Sequence, residues 1–308
     1  MDREAQTATA GTPLAKQLGR VGLWTSKLDL QPAGQLRSIL TELEALGWGS
    51  LWAWEVFGRE ALTNAALLLC VSQRLVIGTG IANIWARDPV AMAAAQRTLA
   101  EAYPGRFVLG LGVSHAPIVD ARGHRYERPL ERMRTYLDAM DAAPWQGPPL
   151  QEEPVRVLAA LGPRMLELAA ERSAGALTYN AAPEATAWAR SILGAGPLLA
   201  VEQAVVVEQD PAQARRIARE LLAIYLTFPN YVRAWERAGF GPEDLADGGS
   251  DRLIDAVVAW GSPEAIAERV TAHLEAGADH VCLQVLDPDP SALPMAACRA
   301  LASVLLAR

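Results

Sequence analysis

The sequence from residue 75 to residue 115 places two strands and two polar turns in close succession. It reads LVIGTGIANIWARDP over residues 75–89 and RFVLGLGVSH over residues 106–115, with a helical segment from Pro89 to Tyr103 between them. Each apolar run ends in glycines and is followed by polar side chains. Because α/β barrels carry their active sites at the carboxyl ends of parallel strands, these turns are candidate site segments.

The same pattern of an apolar run followed by a helical segment extends through the chain. The runs show little alternation, which is typical of parallel strands buried on both faces. Strand and helix alternate throughout, so the sequence predicts an α/β fold with a parallel sheet, and eight repeats predict closure into a single (β/α)8 TIM barrel. The predicted strands are Gly19–Trp24, Ser50–Trp54, Leu75–Ile81, Phe107–Val113, Val155–Ala159, Gly175–Tyr179, Leu198–Val207 and His280–Leu286.

We predict one domain over residues 1–308, with two segments outside the barrel repeat. Residues 1–18 are polar and rich in Ala and Thr, and we expect them to form a flexible N-terminus. Residues 225–261, after the seventh strand, have no predicted strand and form a helical insertion. A long insertion in a compact domain is usually functional or mobile. We expect it either to cover the site or to pack on the barrel rim or a partner subunit.

Composition indicates a globular protein with a large core, because 51% of residues are hydrophobic and 20% are charged. The net charge of −7 argues against nucleic-acid binding. No apolar stretch is long enough to cross a membrane, and no signal peptide is visible, so we expect a cytoplasmic protein. The three cysteines have no metal or redox spacing and are interpreted as buried thiols: Cys70, Cys282 and Cys298.

Two motifs carry a family resemblance. TGIANIWARDP (79–89) and AYPGRFVLGLGVSHAP (102–117) closely resemble the bacterial luciferase-like monooxygenase superfamily, in its branch of oxidoreductases that use the deazaflavin coenzyme F420. The resemblance covers residues 19–306. Neither motif fits the dinucleotide fingerprint, because Asn83 and His115 stand where it requires glycine. The resemblance implies hydride transfer at the deazaflavin C5, a small-molecule substrate and a homodimer, with an insertion that helps to cover the active site.

The resemblance also implies two cofactor contacts. It places a non-prolyl cis peptide at Gly80-Ile81, behind the cofactor ring, and Asn83 at the edge of the ring. Asn83 in such a turn also has a structural interpretation, a hydrogen bond to its own backbone. The cofactor phosphate is expected at the turn after the fifth strand, where glycine allows close approach and a helix begins with free N–H groups. The residues assigned to this phosphate contact are Gly162, Pro163, Arg164 and Gly175.

His115 and Glu55 are the candidate catalytic residues. His115 follows the fourth strand, and histidine is the natural proton donor near neutral pH. Glu55 ends the second strand, where related sugar-phosphate dehydrogenases carry an acidic residue followed by His. Val56 stands in place of that histidine, which argues against sugar-phosphate dehydrogenation. Candidate substrate contacts are Trp24, Trp85, His124 and Tyr179, and the loop arginines at 122, 125 and 128 are interpreted either as an anion site or as solvated charges.

Three other interpretations stay open at the level of sequence. The barrel and its phosphate turn are also compatible with an FMN-dependent monooxygenase. A barrel that binds the cofactor without turnover, as a carrier or partner subunit, is compatible because fold does not fix function. A phosphate-binding lyase is disfavoured, because no lysine stands at the end of a predicted strand.

Overall fold

Parallel strands form a closed barrel in the computed structural model, which describes residues 13–289 and 291–306. In chain order the strands are β1 Val21–Thr25, β2 Ser50–Ala53, β3 Val76–Thr79, β4 Ala82–Asn83, β5 Phe107–Gly112, β6 Arg156–Ala159, β7 Gly175–Thr178, β8 Leu198–Val206, β9 Val258–Trp260 and β10 His280–Val285. The barrel runs from β10 through β1, β2, β3, β5, β6, β7 and β8, and pairing of β8 with β10 closes it. The eight predicted strands are therefore the eight barrel strands, and the predicted fold class is confirmed.

Helices surround the barrel, and most begin with proline at the first or second position. They are α1 Pro13–Leu18, α2 Ala33–Ala45, α3 Ala61–Val71, α4 Pro89–Ala102, α5 Ala116–Ala121, α6 Pro129–Asp141, α7 Pro163–Arg172, α8 Pro183–Leu193, α9 Pro211–Tyr225, α10 Pro229–Arg237, α11 Pro242–Leu245, α12 Asp251–Val257, α13 Pro263–Glu275 and α14 Met295–Leu305, with a 3-10 helix at Lys27–Leu30. Proline suits this position because the first helical N–H has no partner within the helix.

The barrel interior is closed at its amino end by α1. Leu14 and Leu18 are buried with barrel-interior side chains such as Val76 and Leu198. The expectation of a flexible N-terminus is therefore wrong for residues 13–18, because apolar side chains spaced along one helix face fill the barrel end. Residues 1–12 lie outside the described part of the chain.

The insertion after β8 forms a second, smaller core. Helices α9, α10 and α12 pack aromatic and aliphatic side chains against the carboxyl-terminal part of β8. The prediction of no strand between residues 225 and 261 is wrong, since β9 pairs in parallel with β8, with Ala204 opposite Val258. Three residues are too few to show a period in the sequence. This core fixes α10 above the carboxyl end of the barrel.

The cysteines divide between the core and the surface. Cys282 and Cys298 are buried, as expected, but Cys70 is exposed. The apolar run around Cys70 belongs to α3, and a helix buries only the face that meets the barrel. Within residues 13–289 and 291–306, no helix is long and apolar enough to cross a membrane.

Candidate active site

A cavity of about 1110 Å³ opens at the carboxyl ends of the barrel strands. Its walls come from turns after most of the barrel strands and from α9 and α10 of the insertion. This is the end of the barrel at which the polar turns were predicted to converge. The cavity is large enough to bind a cofactor together with a small substrate.

Gly80 and Ile81 form the floor of the cavity. The peptide bond between them is cis, as the sequence motif predicted. The Gly80 carbonyl accepts a hydrogen bond of 3.0 Å from Nε1 of Trp24, which also lines the cavity. A Cβ at Gly112 would lie 2.6 Å from Cδ1 of Ile81, so only glycine at position 112 leaves room for that side chain. The floor therefore depends on contacts among three strand ends.

Glu55 touches the cavity, but its carboxylate is engaged by the protein. Oε1 accepts from the Ala61 amide at 3.2 Å and pairs with Arg87, and Oε2 accepts from the Asn83 amide at 2.8 Å. Its side chain is 3% exposed. These bonds join the turns after β2 and β3 to the start of α3. The arrangement indicates a structural role for Glu55, and its assignment as a catalytic residue stays a prediction.

Three other predicted site residues lie outside the cavity lining. Asn83 is fully buried, and its Oδ1 accepts from the Trp85 amide at 2.9 Å, the structural interpretation noted for this turn. Trp85 donates to the Val113 carbonyl at 2.9 Å and packs 6.1 Å from the exposed ring of His124. Because β4 pairs with β5, the chain turns behind the cavity wall after Ile81. This path keeps Asn83 and Trp85 out of the cavity lining, and His124 packs on Trp85, also outside that lining.

His115 lines the cavity and is held by the insertion. Its ring stacks on Phe228 with centroids 4.3 Å apart and planes 10° apart, and Nδ1 lies 3.3 Å from Oδ1 of Asn230. Since a carbonyl oxygen only accepts, this contact places the proton on Nδ1 and leaves Nε2 with a lone pair. Burial lowers the pKa of His115 below its ordinary 6.5, and the bond to Asn230 opposes this shift. A neutral imidazole at neutral pH can accept a proton at Nε2.

Tyrosines form the wall beside His115. The hydroxyl of Tyr225 donates to that of Tyr179 at 2.9 Å, and Tyr179 donates to Oε1 of Gln284 at 2.6 Å. Tyr231 packs edge-on to Tyr225 with centroids 4.8 Å apart. Burial raises the pKa of all three tyrosines, so their hydroxyls remain donors at neutral pH. Tyr179 was expected from the sequence, whereas the insertion residues were not.

Glu202 is a buried carboxyl group beside this wall that the sequence analysis missed. It lies on β8, and Oε2 accepts from the Asn180 amide at 3.1 Å, while Oε1 has no partner among the described residues. Burial raises its pKa to about 8, so the group is uncharged at neutral pH. A carboxylate in the run LLAVEQAVV (198–206) was a readable signal, since such a residue inside a buried strand is rarely incidental.

The predicted phosphate turn also lines the cavity. Gly162 caps α7, and the amides of Gly162 and Arg164 donate to no acceptor within residues 13–289 and 291–306. A Cβ at Gly162 would meet no atom within 4 Å. Free amides at a helix N-terminus, with open space before them, suit an anion.

Gly175 was predicted to contact the same phosphate, but it lies at the opposite end of the barrel, so this prediction is wrong. It begins β7 and pairs with Leu198 at the start of β8. A Cβ at Gly175 would clash with the Leu198 carbonyl, and its φ is 157°. Close approach of two strands therefore explains this glycine, and the sequence pattern did not distinguish a strand start from a turn.

Arginines gather around the cavity mouth from separate loops and helices. Arg128 pairs with Glu131, and Arg237 donates to the Leu161 carbonyl at 2.5 Å. Arg164 and Arg233 form no ion pair within the described part of the chain. Of the other loop arginines, Arg122 donates to the Val56 carbonyl and Arg125 lies exposed beside Glu127, neither of them in the cavity lining. The lining arginines are Arg128, Arg164, Arg233 and Arg237.

The closed barrel and its deep cavity define an α/β-barrel enzyme. The luciferase-like monooxygenase family model matches residues 7–280, and the chain belongs to this family of oxidoreductases. Over 130 residues it is 35% identical to a Mycobacterium tuberculosis protein assigned as a coenzyme F420-dependent oxidoreductase, a match that spans 42% of this chain and 35% of that protein.

Solved structures share the fold over nearly the whole chain. An F420-dependent secondary alcohol dehydrogenase, in complex with an F420-acetone adduct, aligns with a TM-score of 0.73 at 16% identity, over 92% of this chain and 97% of that one. The oxygenating constituent of 3,6-diketocamphane monooxygenase of Pseudomonas putida, in complex with FMN, aligns with a TM-score of 0.67 at 17% identity, over 92% and 95%. At these identities the comparisons show the fold alone, and the two structures hold different cofactors, an F420 adduct in one and FMN in the other.

Proposed function

We propose that this oxidoreductase binds coenzyme F420 and transfers a hydride between the deazaflavin and a small organic substrate. The observation that carries the choice of F420 over FMN is the group of arginines at the cavity mouth, beside the phosphate turn. F420 combines a phosphodiester with an acidic tail, whereas FMN ends at its phosphate. Two unpaired cations beside the turn, Arg164 and Arg233, supply charge for such a tail.

The residues present fit the cofactor. The free amides of Gly162 and Arg164 would hold the phosphate, because they are unpaired donors at the positive end of the α7 dipole. Ile81 and Gly80 would support the ring from the barrel floor. When bound, the deazaflavin supplies a carbon centre that accepts or donates a hydride.

His115 is the proton-transfer group in this proposal. His115 lines the cavity and its Nε2 has no partner among the described residues, while Phe228 and Asn230 fix the plane and tautomer of the ring. When a substrate hydroxyl is oxidised, Nε2 accepts its proton, and in the reverse direction the imidazolium returns it. The insertion covers the His115 ring on the sides that contact Phe228 and Tyr231.

Cofactor titration tests the proposal. F420 and FMN are titrated separately into the purified protein, and binding is followed by cofactor fluorescence. We expect F420 to bind more tightly than FMN. Arg233→Ala should lower the affinity for F420 by about two- to fivefold, because an exposed ion pair contributes at most about 1 kcal/mol. FMN affinity should not change in this variant.

Arg125→Ala is the matched control, because it removes the same charge from an exposed side chain outside the cavity. Tighter binding of FMN than of F420 would replace the proposal by the FMN monooxygenase interpretation. Tight F420 binding without any redox change of the cofactor, over a broad set of alcohols and carbonyl compounds, would favour the carrier interpretation.

A further inference from the structure

The inner part of the cavity is walled by aromatic rings. We call this group the ring wall: it comprises Trp24, Tyr179, Tyr225, Phe228 and Tyr231. Its members pack edge-to-face, with Trp24 and Tyr179 centroids 5.3 Å apart and Tyr225 and Phe228 centroids 6.1 Å apart. Because each ring is held by its neighbours, the wall presents a fixed apolar surface. Such a surface favours a flat or cyclic substrate body.

The charged residues of the cavity lining other than Glu55 are half-buried or exposed, and the half-buried Lys27 interacts with the carboxylates of Asp287 and Asp289. Among the described lining residues, Glu55 is the buried charged side chain, and its oxygens are taken by Arg87 and two backbone amides. The lining arginines are exposed, and His115 and the ring-wall tyrosines are uncharged at neutral pH. A carboxylate or phosphate placed against Tyr225, Phe228 and Tyr231 would lose water, and no buried cation stands in the described cavity lining to compensate, which is costly. The inner cavity therefore selects against charged substrates.

Two polar groups in this apolar region have free capacity for hydrogen bonds. The Tyr231 hydroxyl has no partner within residues 13–289 and 291–306, unlike those of Tyr179 and Tyr225. Nε2 of His115 is also free, and the two rings have centroids 5.5 Å apart. Tyr231 is a donor and neutral His115 is an acceptor. Together they match a single hydroxyl oxygen, which accepts from Tyr231 and donates to Nε2 of His115. A carbonyl oxygen accepts from Tyr231 alone, and from both groups once His115 is protonated at Nε2.

We propose that the substrate is an uncharged, ring-bearing alcohol or ketone whose oxygen binds between Tyr231 and His115 while its ring packs on the ring wall. This inference rests on the proposed F420-dependent function. In oxidation, the carbinol carbon loses a hydride to the deazaflavin, the hydroxyl proton passes to Nε2 of His115, and a C=O bond forms. Reduction returns the hydride to carbon and the proton to oxygen.

The test is calorimetric binding of three probes that share one ring. The probes are acetophenone, with a carbonyl oxygen, benzoate, with a carboxylate, and ethylbenzene, with no oxygen. Each is titrated into F420-loaded and cofactor-free protein, after F420 binding has been measured by itself. We expect acetophenone to bind at least tenfold more tightly than benzoate, because the described cavity lining contains no buried cation for the carboxylate.

Variants separate the oxygen contact from the ring contact. Tyr231→Phe should lower the affinity for acetophenone by about five- to tenfold, which is the effect of one lost neutral hydrogen bond. The affinity for ethylbenzene should not change. Phe228→Leu should weaken both of these probes. Tyr103→Phe is the control, since Tyr103 lies outside the cavity lining at the end of α4.

Benzoate binding as tight as acetophenone, or acetophenone affinity unchanged in Tyr231→Phe, would overturn the substrate assignment. Failure of all three probes to bind a protein that binds F420 would overturn it as well, and would leave the proposed function standing. Normal acetophenone binding in a protein that does not bind F420 would instead refute the cofactor proposal.

Discussion

Gly162→Val separates cofactor binding from folding, because the two should change in opposite directions. The backbone at Gly162 has φ −121° and ψ 160°, a β conformation that valine prefers. A Cβ there meets no atom within 4 Å. Replacing glycine where its conformation suits a larger residue stabilises the fold by about 0.4–1 kcal/mol, because the unfolded chain loses freedom. The variant should therefore fold at least as stably as the wild type.

Binding should change in the opposite direction. The valine methyl groups would occupy the space in front of the free amides of Gly162 and Arg164, where the phosphate is proposed to lie. A hydrogen bond to a charged group contributes about 1.5–3 kcal/mol, so displacement of the phosphate by one such bond lowers affinity by about ten- to a hundredfold. Arg164→Ala should have a smaller effect, because it keeps the amides and removes only an exposed charge.

The assay is a thermal melt together with fluorescence titrations of F420 and FMN. Both cofactors carry a phosphate, so both affinities should fall by a similar factor. Gly196→Val is the matched control, since Gly196 also has open space and lies before β8, at the amino end of the barrel. Wild-type affinity for both cofactors in a stable Gly162→Val protein would refute the reasoning and place the phosphate elsewhere.

Three further outcomes are expected. His115→Ala should lower turnover by about 10²- to 10⁴-fold with little change in melting temperature, and unchanged turnover would make His115 a bystander. Because burial lowers the pKa of His115, the rate of substrate oxidation should fall as pH drops through a value below 6.5, and an acid limb above 6.5 would contradict this. Burial raises the pKa of Glu202 to about 8 from 4.5, so its contribution to stability is complete below pH 4.5 and is lost as pH rises through 8. Denaturant unfolding gives the free energy of unfolding of Glu202→Gln and of the wild type. The difference between them should shift in favour of the variant by about 3 kcal/mol between about pH 6 and pH 9. A constant difference would mean that Glu202 does not titrate in this range.

The barrel was readable from sequence because its strands are short, continuous apolar runs separated by helical patterns. β8 is buried along its whole length, and its predicted and observed bounds differ by one residue. The helix that was predicted to begin at Pro89 does so, and the Asp88 carboxylate caps it by accepting from the Val90 and Ala91 amides at 2.9 Å. Local chemistry of this kind is encoded within a few neighbouring residues.

The interior of the site was less readable because its contacts join distant segments. His115 and Asn230 are 115 residues apart, and nothing in either local sequence indicates that they meet. The arginine group at the mouth is likewise assembled by folding and is not a charge run in the sequence. Gly175 was assigned to the wrong end of the barrel, because a glycine required by close strand packing looks the same in sequence as one required by a ligand.

A structure of the protein in complex with F420 tests the central claim most directly. The account predicts the phosphate within about 3 Å of the amide nitrogens of Gly162 and Arg164, with the deazaflavin ring against Ile81 on the side that faces His115. A cofactor bound outside this cavity, or with its phosphate away from the start of α7, would contradict the account.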